Sequence, residues 1–151
     1  MRSRGGHPTG ERKPLSEATK SPAIGLSVFT YCPPSMNNLF YTDRRTGTRH
    51  KSGAYRNWIK QAIGYSTTMA HGGRRDEAIA AIYAAPVAVE IVVRKPDNRR
   101  RDITNYVKAL DDLLVRMGIL KDDCQIGDSR IRWANGEDRM PSEVVITVRA
   151  A

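Results

Sequence analysis

Residues 87–133, VAVEIVVRKPDNRRRDITNYVKALDDLLVRMGILKDDCQIGDSRIRW, decide the reading of this chain. Val87, Val89, Ile91 and Val93 share one face of an alternating run, which predicts a strand over Val87–Arg94 that Pro96-Asp97-Asn98 breaks. After the break, Ile103, Val107, Leu110, Leu114 and Met117 recur at four- and three-residue steps, the stripe of an amphipathic helix. Thr104 is the expected N-cap and Gly118 the expected C′ residue. Lys121-Asp122-Asp123 reads as a turn before a further strand at Arg130–Ala134.

Working outward, Gly25–Tyr31 predicts a first strand, stopped at Pro33-Pro34, and Asn37–Gly53 a polar loop. Trp58, Ile59, Ala62, Ile63 and Met69 predict a helix over Tyr55–Ala70, ended by Gly72-Gly73, and Asp76–Ala85 a second, Ala-rich one. Glu143–Arg149 closes the chain as a strand, with a hairpin-type signal at Asn135-Gly136 before it. The order β–α–α–β–α–β–β gives a small single-domain α/β (α+β) fold, a mixed sheet of about four strands with packed helices. Residues 1–24 read as a flexible basic arm and 25–151 as the domain.

Charge narrows the function. Lys and Arg number 25 against 16 Asp and Glu in 151 residues, a net charge of +9 that points to a polyanionic partner. Cys32 and Cys124 form no CxxC pair, so neither a disulfide scaffold nor a zinc ribbon is expected. The longest apolar stretch, Ala78–Val89, is too short for a bilayer and contains Pro86; with no apolar leader at the start, the expected location is the cytoplasm. Basic residues fill Arg44–Arg75, which includes Arg49, Lys51 and Arg56, and again Arg94–Arg101. Asp102–Asp128 then reverses sign, with six aspartates against Lys108, Arg116 and Lys121.

An acidic island inside a basic protein suits a cation held among phosphates, although Asp also favours turns and helix ends for its own reasons. Asp102, Asp122 and Asp123 are the candidate ligands of one hard ion. Mg²⁺, with Mn²⁺ as substitute, needs only one or two carboxylates besides water and phosphate oxygens. The convergence requires the strand after Asp123 to lie beside the one ending at Arg94, bringing its first residues near Asp102. Lys108 is the candidate phosphate partner, with Asn105 on the same side of the helix, and Arg99, Arg100 and Arg101 grip the flanking backbone. Pairing of an exposed Lys108 with Asp111 or Asp112 is the plainer alternative.

RRRDITNYVKALDDLL, MGILKDDCQI and SRIRW, with the upstream PPSMNNLFY and SGAYRNW, closely resemble the signature of RusA-type Holliday junction resolvases, endonucleases of bacterial and prophage origin. The likeness runs from about Pro33 to Val148. It implies that Asp102 is the first metal-binding aspartate, Lys108 an essential lysine and Asp123 the aspartate of the second cluster, with Asp122 beside it and Arg101 preceding Asp102. It further implies a symmetric homodimer acting on four-way or other branched DNA in recombination and repair. One position departs: Thr104 stands where the best-known members carry a second aspartate, and Asp122 or Asp128 is the candidate to make up the charge. A branched-DNA-binding protein without cleavage and a basic RNA- or ribosome-associated protein are the competing expectations.

Overall fold

The computed structural model describes residues 23–151, so the arm expected over 1–24 lies outside the described residues except for Ala23 and Ile24. Ten regular elements follow: β1 (Gly25–Thr30), β2 (Phe40–Thr42), β3 (Arg49–Lys51), α1 (Gly53–Tyr65), β4 (Thr67–His71), α2 (Arg75–Ala84), β5 (Val87–Val93), α3 (Val107–Arg116), β6 (Ile126–Trp133) and β7 (Val144–Ala150). The main sheet has five strands in the order β4-β1-β7-β5-β6, and β2 and β3 form a separate two-stranded ribbon. Within the main sheet β5 and β6 run parallel and the other three pairings are antiparallel. The fold is therefore mixed α+β.

One sheet face makes the core. Leu26, Val148 and Val89 lie in one cross-strand row and Val28, Ile146 and Ile91 in the next, all buried. Tyr55, Trp58, Ile59 and Ala62 of α1, Ala78 and Ile82 of α2, and Leu110, Leu113 and Leu114 of α3 complete the same cluster. Large apolar side chains so placed hold roughly 2–5 kcal/mol each against truncation to alanine. Gly25 sits where β1 crosses β7 so closely that a Cβ would run into the Val148 carbonyl oxygen. Gly118, at φ +68°, turns the chain after α3 as its C′ position predicts.

Three expectations need correction. The helix expected to reach Ala70 stops at Tyr65; Ser66 caps it, and Thr67–His71 becomes an edge strand on β1. The expected polar loop at 37–53 contains the β2–β3 ribbon. Finally, β6 and β7 form no hairpin, because β5 lies between them. β7 (VVITVRA) is apolar enough for a central place, whereas β6 (IGDSRIRW) carries exposed charges that suit an edge.

Candidate active site

The arginine run leaves β5 on a loop organised by Asp97. Arg101 forks onto it, Nε to Oδ1 at 3.1 Å and Nη2 to Oδ2 at 2.6 Å, and the Arg99 backbone N–H donates to Oδ1 at 3.0 Å. These donors, the Arg101 guanidinium first, hold the Asp97 carboxyl down to about 2. Arg101 is thus half-buried and committed, while the Arg99 and Arg100 side chains project into solvent. A fixed loop with exposed guanidinium groups suits backbone phosphates.

Asp102 opens a 3-10 turn over Ile103–Tyr106 that leads into α3. Asp102, not Thr104, caps this turn, and α3 follows from Tyr106 with no side-chain cap of its own: the Asp102 Oδ1 accepts the Thr104 N–H at 3.0 Å and the Thr104 hydroxyl at 2.7 Å. A short acidic side chain reaching two residues forward competes well with a hydroxyl for this position. The Thr104 hydroxyl and N–H also hold the Asp102 carboxyl below its usual range. The Asn105 N–H donates to the Asp102 carbonyl at 3.3 Å.

Lys108, in the first turn of α3, is the hub of a second group. Its Nζ donates to Asp123 Oδ2 at 2.7 Å and lies 3.1 Å from Asp112 Oδ1. Asp112 Oδ2 in turn accepts the Tyr55 hydroxyl of α1 at 2.6 Å and lies 3.5 Å from Lys51 Nζ. The bond to Asp123, then that to Asp112, pushes the Lys108 pKa up, so the amine stays charged. Burial works against the Asp112 carboxylate, but Tyr55 and Lys108 outweigh it and keep the group ionised. Asp122 caps the next 3-10 turn through the Cys124 N–H at 2.9 Å, and that bond first of all lowers its pKa.

Strand order supplies the expected neighbour, but the register of that pair does not by itself bring Asp123 to Asp102. β6 does lie beside β5, yet the pairing is parallel, with Ile126 opposite Val87 and Trp133 opposite Val93. The start of β6 therefore sits at the start of β5, whereas Asp102 follows its end. What brings Asp123 to the motif is Lys108. Asp128, the other candidate for extra charge, lies opposite Ala88 on β6 and pairs with Arg130 at 3.4 Å. Among the described residues, no group of three or more His, Cys, Asp or Glu is arranged to hold a metal ion.

The remaining basic candidates divide. Arg56 is exposed on α1; the Arg49 guanidinium sits 4.3 Å from the Phe40 ring centroid; the Lys51 ammonium lies 4.9 Å from that of Tyr55. Residue reasoning offered Asp112 as a plain ion-pair partner of Lys108, a pairing the structure does contain, but missed Tyr55 and its bond to Asp112, because the two are 57 positions apart with no local pattern joining them. Gln125, inside the quoted DDCQI, proves to be a clasp: it donates to the Ile82 carbonyl at 2.9 Å and accepts the Lys121 N–H at 2.9 Å. Asp111 is the outlier of α3, with a buried Oδ1 that has no hydrogen-bond partner among the described residues.

The donor chemistry fits a hard divalent cation. Asp102 and Asp122 are held ionised, all three candidate ligands are exposed oxygen donors, and a cation, the Lys108 ammonium, already rests against Asp123.

Residues 31–149 match the family described as Endodeoxyribonuclease RusA. The chain is 34% identical over 100 residues to the crossover junction endodeoxyribonuclease rusA of Enterobacteria phage 82, a span of 66% of this chain and 74% of that protein. It is 32% identical over 100 residues, with the same coverage, to the crossover junction endodeoxyribonuclease RusA of Escherichia coli (strain K12). The crossover junction endodeoxyribonuclease rusA of Enterobacteria phage HK97 is 29% identical over 103 residues, again covering 66% and 74%. A match that takes in the arginine loop, both acidic segments and all of β5, α3 and β6 leaves one assignment: the chain belongs to the RusA endodeoxyribonuclease family.

Proposed function

We propose that this protein is a divalent-metal-dependent endodeoxyribonuclease that resolves Holliday junctions and related branched DNA by paired nicks. The observation that carries the reading is the Lys108–Asp123 pair beside Asp122, in a family-matched segment led by exposed arginines. Asp102, Asp122 and Asp123 would hold Mg²⁺ or Mn²⁺, which when bound supplies an activated water and neutralises charge on the scissile phosphate. Lys108 stays protonated and stabilises the extra negative charge of the transition state. Arg99 and Arg100 bind the flanking backbone, with Arg49 and Arg56 as further contacts, so binding weakens steeply with salt and follows DNA shape.

A homodimer belongs to the same reading. A four-way junction has approximate two-fold symmetry, and two related sites nick opposing strands when the protein shares that axis. Among the described residues, no helix is long and apolar enough to cross a membrane.

The test is incubation with a synthetic four-way junction, with and without Mg²⁺ or Mn²⁺. Paired nicks that need the metal and vanish in Asp123→Asn, with junction binding nearly unchanged, support the reading; an Asp123→Asn protein that cleaves normally overturns it. One observation favours a second reading, a junction-binding protein that does not cut. Thr104 offers only a hydroxyl beside Asp102, and that hydroxyl is already bonded to the carboxylate. Tight junction binding with no nicking under either metal selects it.

A further inference from the structure

Among the described residues, two carboxylates contact the Lys108 ammonium, and they differ in kind. Asp123 lies on a turn with its side chain 46% exposed; Asp112 lies on α3 at 18%. Behind Asp112 stands Tyr55, 1% exposed, whose hydroxyl reaches Oδ2 from another helix. A pair of surface charges needs no such backing and contributes little to stability. Here Oδ2 is tied to the core through Tyr55, and Oδ1 is left facing the lysine.

We propose that Asp112, fixed from behind by Tyr55, is a positioning residue that keeps Lys108 at the site when Asp123 takes a metal ion. The inference rests on the nuclease reading above. A divalent ion and the ammonium compete for the Asp123 carboxylate. Because Asp112 offers Lys108 a second anchor, the lysine releases Asp123 without swinging into solvent, and its charge remains available to a phosphate. With Asp112 neutral, Asp123 is, among the described residues, the one carboxylate left in contact with the ammonium. The metal must then displace Lys108 from its closest partner, and the displaced lysine has no fixed place to go.

Manganese binding to the full-length, DNA-free protein, followed by calorimetry, provides a readout independent of activity. Asp112→Asn, which keeps an acceptor for Tyr55, should weaken Mn²⁺ binding about tenfold, a coupling of ordinary size. Made in a Lys108→Ala background, the same change should cost less than twofold, since the competing ammonium is gone. In junction cleavage, Asp112→Asn should lower kcat at least tenfold, with the junction Kd in EDTA within twofold and part of the rate restored by Asp112→Glu. Should Asp112→Asn fail to fold, Tyr55→Phe removes only the phenolic oxygen. It should weaken Mn²⁺ binding about threefold, and again only while Lys108 is present.

Equal losses in both backgrounds would mean that Asp112 acts as a distant charge, which overturns the proposal. So does an Asp112→Asn protein that binds Mn²⁺ and cleaves like its parent, while the parent itself does both. A parent that neither binds Mn²⁺ nor nicks the junction removes the nuclease reading and this inference with it.

Discussion

The two ends of the acidic segment are built differently. At Asp102 the carboxylate is exposed, and its bonds come from the turn it opens, from Thr104. At Asp123 the carboxylate joins a network spanning β3, α1, α3 and the turn before β6: Lys51, Tyr55, Asp112, Lys108 and Asp123. The first region is a sequence motif and holds its shape locally. The second exists only after folding, because its members come from residues 51 to 123. The lesson is that charge density in the sequence shows where chemistry is concentrated, while tertiary contacts decide which charges are held in place. The sharpest way to break this contrast is Lys108→Ala, which removes the hub and leaves the Asp102 turn untouched. Its junction cleavage should fall about 10²–10³-fold, the usual loss of one positioned electrostatic partner, with Kd changed little. A rate within a few-fold of the parent would reduce the network to packing.

The reverse experiment strengthens the weaker region. Thr104→Asp places a second carboxylate beside Asp102 and removes the hydroxyl now bonded to it. The change should raise Mn²⁺ affinity about tenfold and increase the cleavage rate at limiting metal, because two adjacent carboxylates repel until a cation joins them. If metal affinity and rate both stay flat, the Asp102 turn is not part of the metal site. The asymmetry would then be complete, with all the ion-binding work at the Asp123 end.

How much of this was legible in the sequence follows the same division. β5 and α3 were readable because alternation and helical spacing are local, and the Asp102 segment because its charges are consecutive. The Thr67–His71 strand was not, since Met69 falls at helical spacing from Trp58 and Ala62 while Ser66-Thr67-Thr68 favours extended chain once β1 offers its edge. The apolar run of β7 suits a central strand, but nothing local names β1 and β5 as its neighbours. In the site, resemblance to a known signature placed the Tyr-Arg of α1, but nothing in the spacing tied Tyr55 to Asp112. The cap was misassigned by two residues because Asp and Thr are both good caps, and only backbone geometry chooses between them.

The arginine loop tests a smaller difference, between a charge held half-buried in the protein and charges exposed to solvent, Arg99 keeping only a long 3.9 Å contact to Asp97. Arg101 is held by Asp97, whereas Arg99 and Arg100 are exposed. The double change Arg99→Ala/Arg100→Ala should weaken junction binding at every sequence and flatten the slope of log K against log salt by about 4, one phosphate contact for each of the four arginines removed from the proposed homodimer. Arg101→Ala should act differently, loosening the loop and lowering thermal stability with less effect on that slope. Identical salt slopes for the two proteins would erase the distinction.

The smallest effect expected concerns Asp111, which sits among the charged groups of the network without sharing its bonds. Burial pushes its pKa up to about 6; the Lys108 ammonium pulls the other way, and the Asp123 and Asp112 carboxylates push it up further. A carboxyl with a raised folded-state pKa destabilises the protein while ionised. The folded chain binds the extra proton between the unfolded value near 3.8 and about 6, so the penalty is full above pH 6 and fades as pH falls through it. Asp111→Asn should therefore raise Tm by about 2–4 °C at pH 7.5, the shift expected for roughly 1 kcal/mol in a domain of this size. At pH 5 the gain should be clearly smaller, because the folded carboxyl is then largely protonated, and it should vanish only below about pH 3.8, where the unfolded carboxyl is neutral too; differential scanning calorimetry at pH 7.5 and pH 5 measures the difference. Equal gains at both pH values would assign the benefit to the amide itself rather than to loss of charge, and Asp111 would then have no electrostatic share in the network around Lys108.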